Sequence, residues 1–177
     1  EFRRVLFRSR PVALAATSGS AVGQMLPAVM EANHTATPLL VLSADRPDEL
    51  HGTGASQSTR QKNLFGEHVR LTANVPAGAD PQDQVRQALA SLAGDQQVPA
   101  GPVQLNLQFR DPLIPAPEER IEEQRWTAIE PGRWPAPRQP DMSTLPVQQL
   151  KPRRSVVVAG HGAGEEAQQF AQDLGLP

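Results

Sequence analysis

Pro11-Val-Ala-Leu-Ala-Ala-Thr-Ser-Gly-Ser20 and Pro38-Leu-Leu-Val-Leu-Ser-Ala-Asp-Arg-Pro47 follow one grammar: a short apolar run that ends in small or polar residues. A run of four to eight apolar residues bounded by turn signals reads as a strand buried on both faces, the kind found in parallel sheets. Between the two, Val22, Met25, Leu26 and Val29 fall at the i, i+3, i+4, i+7 spacing of one buried helical face. Ser18 or Ser20 is placed to cap that helix. Pro27, inside its early part, leaves its start open. The sum is a βαβ unit. Both polar loops then lie at the carboxyl ends of parallel strands, where α/β folds place their ligands.

Beyond Ala44 a long polar segment runs to Phe65, with glycines at Gly52 and Gly54. Loops of that length inside a compact domain are usually functional or disordered. His68 to Thr72 reads as a return to the sheet. Asp80-Pro81 opens a helix, with Asp80 at the N-cap, Pro81 at the first helical position and Asp83 in the first turn. Val85, Ala88, Leu89 and Leu92 form its apolar stripe, and Gly94 stops it. Val103-Gln-Leu-Asn-Leu107 alternates, as a strand with one polar face does.

After Arg110 the composition changes. Nine of the 18 prolines fall between Asp111 and Pro152, which no regular ladder tolerates, so residues 114–153 read as a linker. Trp126 and Trp134 within it are expected to pack on the preceding domain. Ser155-Val-Val-Val-Ala159 reads as a new strand, followed by the Gly160/Gly162/Gly164 turn and a helical stripe of Ala167, Phe170, Ala171 and Leu174. One strand and one helix cannot close a core, so residues 154–177 read as the start of a second Rossmann-like domain in a fragment of something longer. Residues 1–9 fit no element and read as a foreign start.

Composition narrows the functional classes. The chain has 177 residues, 38% apolar but only 4% aromatic, so aliphatic packing carries the core. A net charge of −2 gives no broad field for nucleic acid. Without cysteine there is neither a disulfide framework nor a zinc-thiolate site, in keeping with a cytoplasmic protein. No apolar run approaches the ~20 residues that span a bilayer. The four histidines show no metal-ligand spacing.

Each motif has a plain alternative. Thr17-Ser-Gly-Ser20 offers amides at a helix start, which attract anions. No lysine stands at a Walker-A spacing and there is no G-x-G-x-x-G, so a nucleotide-phosphate loop is disfavoured. The same amides suit a neutral heteroaromatic ring, or a tight structural turn. Arg46 can clamp a carboxylate through two parallel hydrogen bonds. Equally, it can pair with Asp45 and merely pin the loop. Gln57 reads as a loop hydrogen-bonder, and the glycines near 160 match a dinucleotide fingerprint only loosely.

Three stretches together carry a resemblance: Ala16 to Ala32, Pro38 to Leu50 with Gly54-Ala-Ser-Gln57 and Leu64-Phe-Gly66, and Gly101 to Leu113. They resemble the 2-succinyl-5-enolpyruvyl-6-hydroxy-3-cyclohexene-1-carboxylate synthases, thiamine-diphosphate enzymes of menaquinone biosynthesis. The resemblance implies an α/β, Rossmann-like parallel sheet with flanking helices, residues 10–113 being the later part of a pyrimidine-binding domain. It implies decarboxylation of 2-oxoglutarate and 1,4-addition of the resulting unit to isochorismate, with thiamine diphosphate and Mg2+ as cofactors. Ser18, Gly19, Ser20, Gln24 and Gln57 would meet the cofactor, while Arg46 and Gln57 would meet substrate. No catalytic set is complete within the chain, and the metal ligands would lie outside it, so the segment alone is expected to be inactive. The resemblance further implies a homodimer or homotetramer, with no nucleic-acid partner and no integral membrane segment. The family usually has Thr at Ser20, Asn at Gln24 and often Asn at Ser56. The alternatives are another thiamine-diphosphate lyase of the acetolactate synthase type, or a non-catalytic α/β binding module.

Overall fold

The structure is a computed structural model and describes residues 11–95, 97–114, 156–160 and 163–176. The chain divides into two compact units, 1–136 and 137–177. In the first, β1 (Val12–Ala16), β2 (Leu39–Asp45), β3 (Leu71–Val75) and β4 (Val103–Gln108) form one sheet in the order β1-β2-β4-β3. Every neighbouring pair is parallel, with Val12 opposite Leu39, Leu40 opposite Val103 and Leu71 opposite Val103. The α/β class with a parallel sheet is therefore what the chain adopts.

Parallel strands need covered crossovers, and the two faces of the sheet are covered differently. On one face Val22, Val29, Ala32, Leu39, Val41 and Phe65 form a core, joined by Leu14 and Met25. On the other, Leu105, Ala73 and Val75 pack with Val85, and Val103 packs with Ala88 and Leu92 of α3 (Gln82–Ala93). The long segment after β2 contributes to the first core through Phe65, which is 1% exposed.

Several local expectations shift. The helix after β1 is broken into α1 (Ser20–Gly23) and α2 (Leu26–His34), because Pro27 has no N–H to donate back to Gly23. Neither Ser18 nor Ser20 caps it. Gly19 holds the N-cap at φ 91° with no side-chain cap bond, a conformation that suits glycine alone. Pro81 stands at the N-cap of α3, one residue later than expected, and Asp80 Oδ1 accepts from the Gln82 amide at 3.0 Å. Leu89 leaves the buried stripe and is 43% exposed, since a single sheet face covers only the Val85, Ala88 and Leu92 side of the helix. His68 belongs to a 3-10 turn, Gly66–His68, and β3 begins at Leu71.

The largest difference concerns β4. Its alternation suggests one polar face, yet Gln104, Asn106 and Gln108 are all buried. As a central strand with β2 on one side and β3 on the other, β4 is covered on both faces, and its polar residues find partners inside. In the second unit, Val156 to Gly160 form no strand: Val158 is 86% exposed, and a strand needs a paired neighbour that the described residues do not supply. Helix α4 (Gly164–Leu174) does form, with Ala167, Phe170, Ala171 and Leu174 less exposed than the residues between them. Residues 1–9, the linker beyond Ile114 with both tryptophans, and Gly162 lie outside the described residues.

Gly94 closes α3 at φ 70°, and a Cβ there would stand 2.4 Å from the Ala100 nitrogen and 2.6 Å from the Val98 oxygen. Neither backbone atom can give way. Gly94→Ala is expected to lower stability by about 2–3 kcal/mol, from left-handed strain plus the clash. Chemical denaturation checks it, and a midpoint unchanged from wild type would refute it.

Candidate functional site

The carboxyl ends of β1 and β2 deliver the Thr17–Ser20 and Asp45–Pro47 loops to the same edge of the sheet, since Ala16 pairs with Ser43 in register. The Gly54–Gln61 segment bridges them. At Gly19 a Cβ would lie 3.2 Å from the Gln57 carbonyl oxygen and 3.4 Å from Gln57 Cα, so backbone rests on backbone and only glycine leaves room. Gln57 itself has φ 54°, a left-handed conformation unusual for a residue with a side chain, and that side chain is exposed. Such strained positions cluster where ligands bind.

Arg46 leaves β2 tied at two points. Its amide donates to Asp45 Oδ1 at 2.8 Å, and its Nε donates to the Ser56 carbonyl at 3.1 Å. Among the described residues the terminal guanidinium nitrogens have no partner and no carboxylate ion-pairs with them. Pairing of Asp45 with the Arg46 side chain, the plainer alternative, is therefore not what the loop does. Asp45, 3% exposed, receives Asn106 Nδ2 at 2.8 Å on its other oxygen, and His51 Nε2 lies 3.4 Å from Oδ1.

The expected site residues are thus only partly brought together. Gly19 and Gln57 touch, with Ser18 buried beside them in sequence, and Arg46 reaches the residue before Gln57. Ser20 opens α1 and Gln24 follows its end; both are exposed, and no hydrogen bond among the described residues joins their side chains to this group.

Beneath the loops lies a layer that the sequence reading did not identify. Gln61, fully buried, accepts the Gly19 amide on Oε1 at 2.5 Å and donates from Nε2 to the Ala44 carbonyl at 2.7 Å. Nε2 also reaches Asn106 Oδ1 at 3.1 Å. Ser43 Oγ donates to that same Asn106 oxygen at 2.9 Å, and Gln104 Nε2 donates to the Gln61 carbonyl at 3.0 Å. The signal was present as the Gln104, Asn106, Gln108 alternation, but a polar face in a strand usually means solvent. On the rim, Arg110 Nε donates to Glu49 Oε1 at 2.6 Å, and that guanidinium holds the Glu49 carboxyl below its ordinary range. The pair is exposed and lends little to stability.

Gly19→Ala is expected to lower stability by about 1–2 kcal/mol, because φ 91° strains any side chain and the Gln57 backbone must retreat. Thermal melting of the variant checks this. A variant as stable as wild type would mean that the two loops are not in fact locked together.

What this edge offers a ligand is a rigid glycine turn, its amide spent on Gln61 and its α-carbon covered by Gln57, flanked by the forked cation of Arg46. The unpartnered edge of Arg46 suits a carboxylate. Among the described residues no three His, Asp or Glu side chains are grouped to hold a metal ion, and no helix is long and apolar enough to cross a membrane.

The family model described as the thiamine pyrophosphate enzyme, N-terminal TPP binding domain, matches residues 4–64. Among curated proteins, one named 2-succinyl-5-enolpyruvyl-6-hydroxy-3-cyclohexene-1-carboxylate synthase from Arthrobacter sp. (strain FB24) is 55% identical over 94% of this chain and 28% of its own length. Its namesake in Paenarthrobacter aurescens (strain TC1) is 51% identical over 94% of this chain and 29% of its own length. The one from Mycobacterium marinum (strain ATCC BAA-535 / M) is 37% identical over 87% of the chain and 30% of its own length. The chain thus spans less than a third of the length of these relatives. Over the region it covers, the chain is similar throughout to the 2-succinyl-5-enolpyruvyl-6-hydroxy-3-cyclohexene-1-carboxylate synthases, and over residues 4–64 to the N-terminal domain of thiamine pyrophosphate enzymes.

Proposed function

We propose that the chain is part of a thiamine-diphosphate-dependent synthase that decarboxylates 2-oxoglutarate and adds the product to isochorismate in menaquinone biosynthesis. The observation that carries this reading is the meeting of the Gly19 cradle and Arg46 across one bridging segment at the carboxyl edge of a parallel sheet. The likeness to those synthases supports the chemistry assigned to this edge.

In this reading Ser18, Gly19, Ser20, Gln24 and Gln57 face the aminopyrimidine of the cofactor. The turn fits such a group because Gly19 adds no side chain of its own and its backbone is held in place by Gln57 and Gln61. When bound, thiamine diphosphate supplies the electron sink for loss of carbon dioxide. Arg46 and Gln57 orient a substrate carboxylate, the arginine by its fork and the glutamine by its exposed amide. Mg2+ takes its ligands from outside the described residues. The assembled protein is a homodimer or homotetramer and works in the cytoplasm.

The test is an assay of the complete protein with isochorismate, 2-oxoglutarate, thiamine diphosphate and Mg2+. Loss of 2-oxoglutarate that depends on isochorismate supports the reading. Formation of acetolactate from pyruvate instead would replace it with a lyase of the acetolactate synthase type.

A further inference from the structure

We infer that Gln61 is the positioning residue of the cofactor loop, fixing the Gly19 amide through a carboxamide whose orientation is dictated by groups of unambiguous polarity. The inference rests on the function proposed above and deepens it.

The Gly19 N–H can only donate and the Ala44 carbonyl can only accept, so Oε1 must face Gly19 and Nε2 must face Ala44. Nε2 has a second proton, which goes to Asn106 Oδ1. That choice turns the Asn106 amide in the same sense, sending Nδ2 to Asp45 Oδ2 and to Asn74 Oδ1, both at 2.8 Å. Ser43 then donates to Asn106 and accepts from Gln104 Nε2 at 3.2 Å. Asn106 makes four hydrogen bonds and is saturated. Gln61 has spent both donors and uses its oxygen on the cofactor loop alone.

The geometry connects two parts of the site through one buried layer. Asp45, at one end, accepts the Arg46 amide; Gln61, at the other, accepts the Gly19 amide. Gln61 stands four residues from Gln57, whose backbone lies against Gly19, and four from Phe65, which anchors the segment in the core. Gln61 and Asn106, each with every donor and acceptor of the chain between Gly19 and Asp45 in use, hold one geometry; Gln104 Oε1, at the side of the layer, has no partner among the described residues. Fully buried, Gln61 presents no surface to a ring or substrate. It acts through Gly19.

Two substitutions in the complete protein separate this role from general packing. Gln61→Leu removes the acceptor for Gly19 and is expected to weaken thiamine diphosphate binding about tenfold. Gln61→Glu keeps an acceptor for Gly19 but, when ionised, points its second oxygen at the Ala44 carbonyl and Asn106 Oδ1. Protonated, it regains one donor. Burial favours the protonated form, so cofactor affinity in Gln61→Glu should recover as pH falls, while Gln61→Leu stays weak throughout. Affinity is read by titration with thiamine diphosphate at saturating Mg2+ and without substrate, at temperatures where circular dichroism shows each variant folded.

Wild-type affinity in both variants at every pH would overturn the positioning role. Where Gln61→Leu fails to fold, Gln61→Glu decides: a pH-dependent affinity supports the role, and a flat, wild-type one overturns it. Failure of the unmutated protein to bind thiamine diphosphate would instead overturn the functional reading on which the role depends.

Discussion

Replacing Asn106 by leucine is expected to destabilise the protein by about 4–5 kcal/mol, a large share of the ~5–15 kcal/mol that holds a typical domain together. The side chain is fully buried in the central strand and makes all four hydrogen bonds of which an amide is capable. Leucine has nearly the same shape but none of the polarity. It leaves the Ser43 hydroxyl proton without an acceptor, one Asp45 oxygen and Asn74 Oδ1 without their donor, and Gln61 Nε2 with one acceptor instead of two. An orphaned buried polar group costs about 1–3 kcal/mol, more for a charged one. The losses are not additive, because Gln61 keeps Ala44 and Asp45 keeps the Arg46 amide. Leu105→Ala on the apolar neighbour position serves as a comparison, with the ~2–5 kcal/mol expected of a core truncation. A denaturation midpoint in Asn106→Leu within about 1 kcal/mol of wild type would show that water reaches these groups and that the layer is not sealed.

The same layer marks where the sequence was legible and where it was not. Strands β1 and β2 were readable because their apolar runs end in polar residues, but β1 is not buried on both faces as expected: it lies at the sheet edge and leaves Ala13 and Ala15 exposed. Helix α3 was readable to within one residue, since Asp80, Pro81 and Gly94 are local signals for its ends. Gly19 and Arg46 were singled out as motif residues at strand ends, each beside a plain structural alternative, a tight turn for the one and a pair with Asp45 for the other. Gln61 did not stand out at all: a glutamine in a polar loop looks solvated until Phe65 is seen to draw the segment against the sheet. Likewise the polarity of β4 pointed to solvent, and only its place between β2 and β3 turns that polarity inward. Periodicity reports the faces of an element. It does not report what lies against them, and long-range partners such as Gly19 and Gln61, 42 residues apart, leave no local trace.

Arg46→Ala should raise the KM for the carboxylate substrate about 100-fold while leaving thiamine diphosphate affinity within about threefold of wild type. Charge-assisted hydrogen bonds contribute about 1.5–3 kcal/mol each, so loss of a two-pronged clamp is worth roughly two decades. The direction follows from how the side chain is held. Asp45 pins its backbone and Ser56 takes Nε, leaving the far edge of the guanidinium unpartnered among the described residues. Because the Asp45–Asn106 and Gln61–Gly19 contacts do not pass through the Arg46 side chain, the Gly19 turn proposed to meet the cofactor is expected to survive its removal. Arg46→Lys should rescue little, since an ammonium keeps the charge but can neither reach Ser56 and substrate together nor offer parallel donors. Steady-state kinetics with 2-oxoglutarate and isochorismate varied in turn identify which carboxylate is clamped, as the one whose KM rises. An unchanged KM for both would place the substrate away from this loop. A parallel loss of cofactor affinity would mean instead that Arg46 supports the cradle, with Ser56 and the Gly54–Gln61 segment as the link between them.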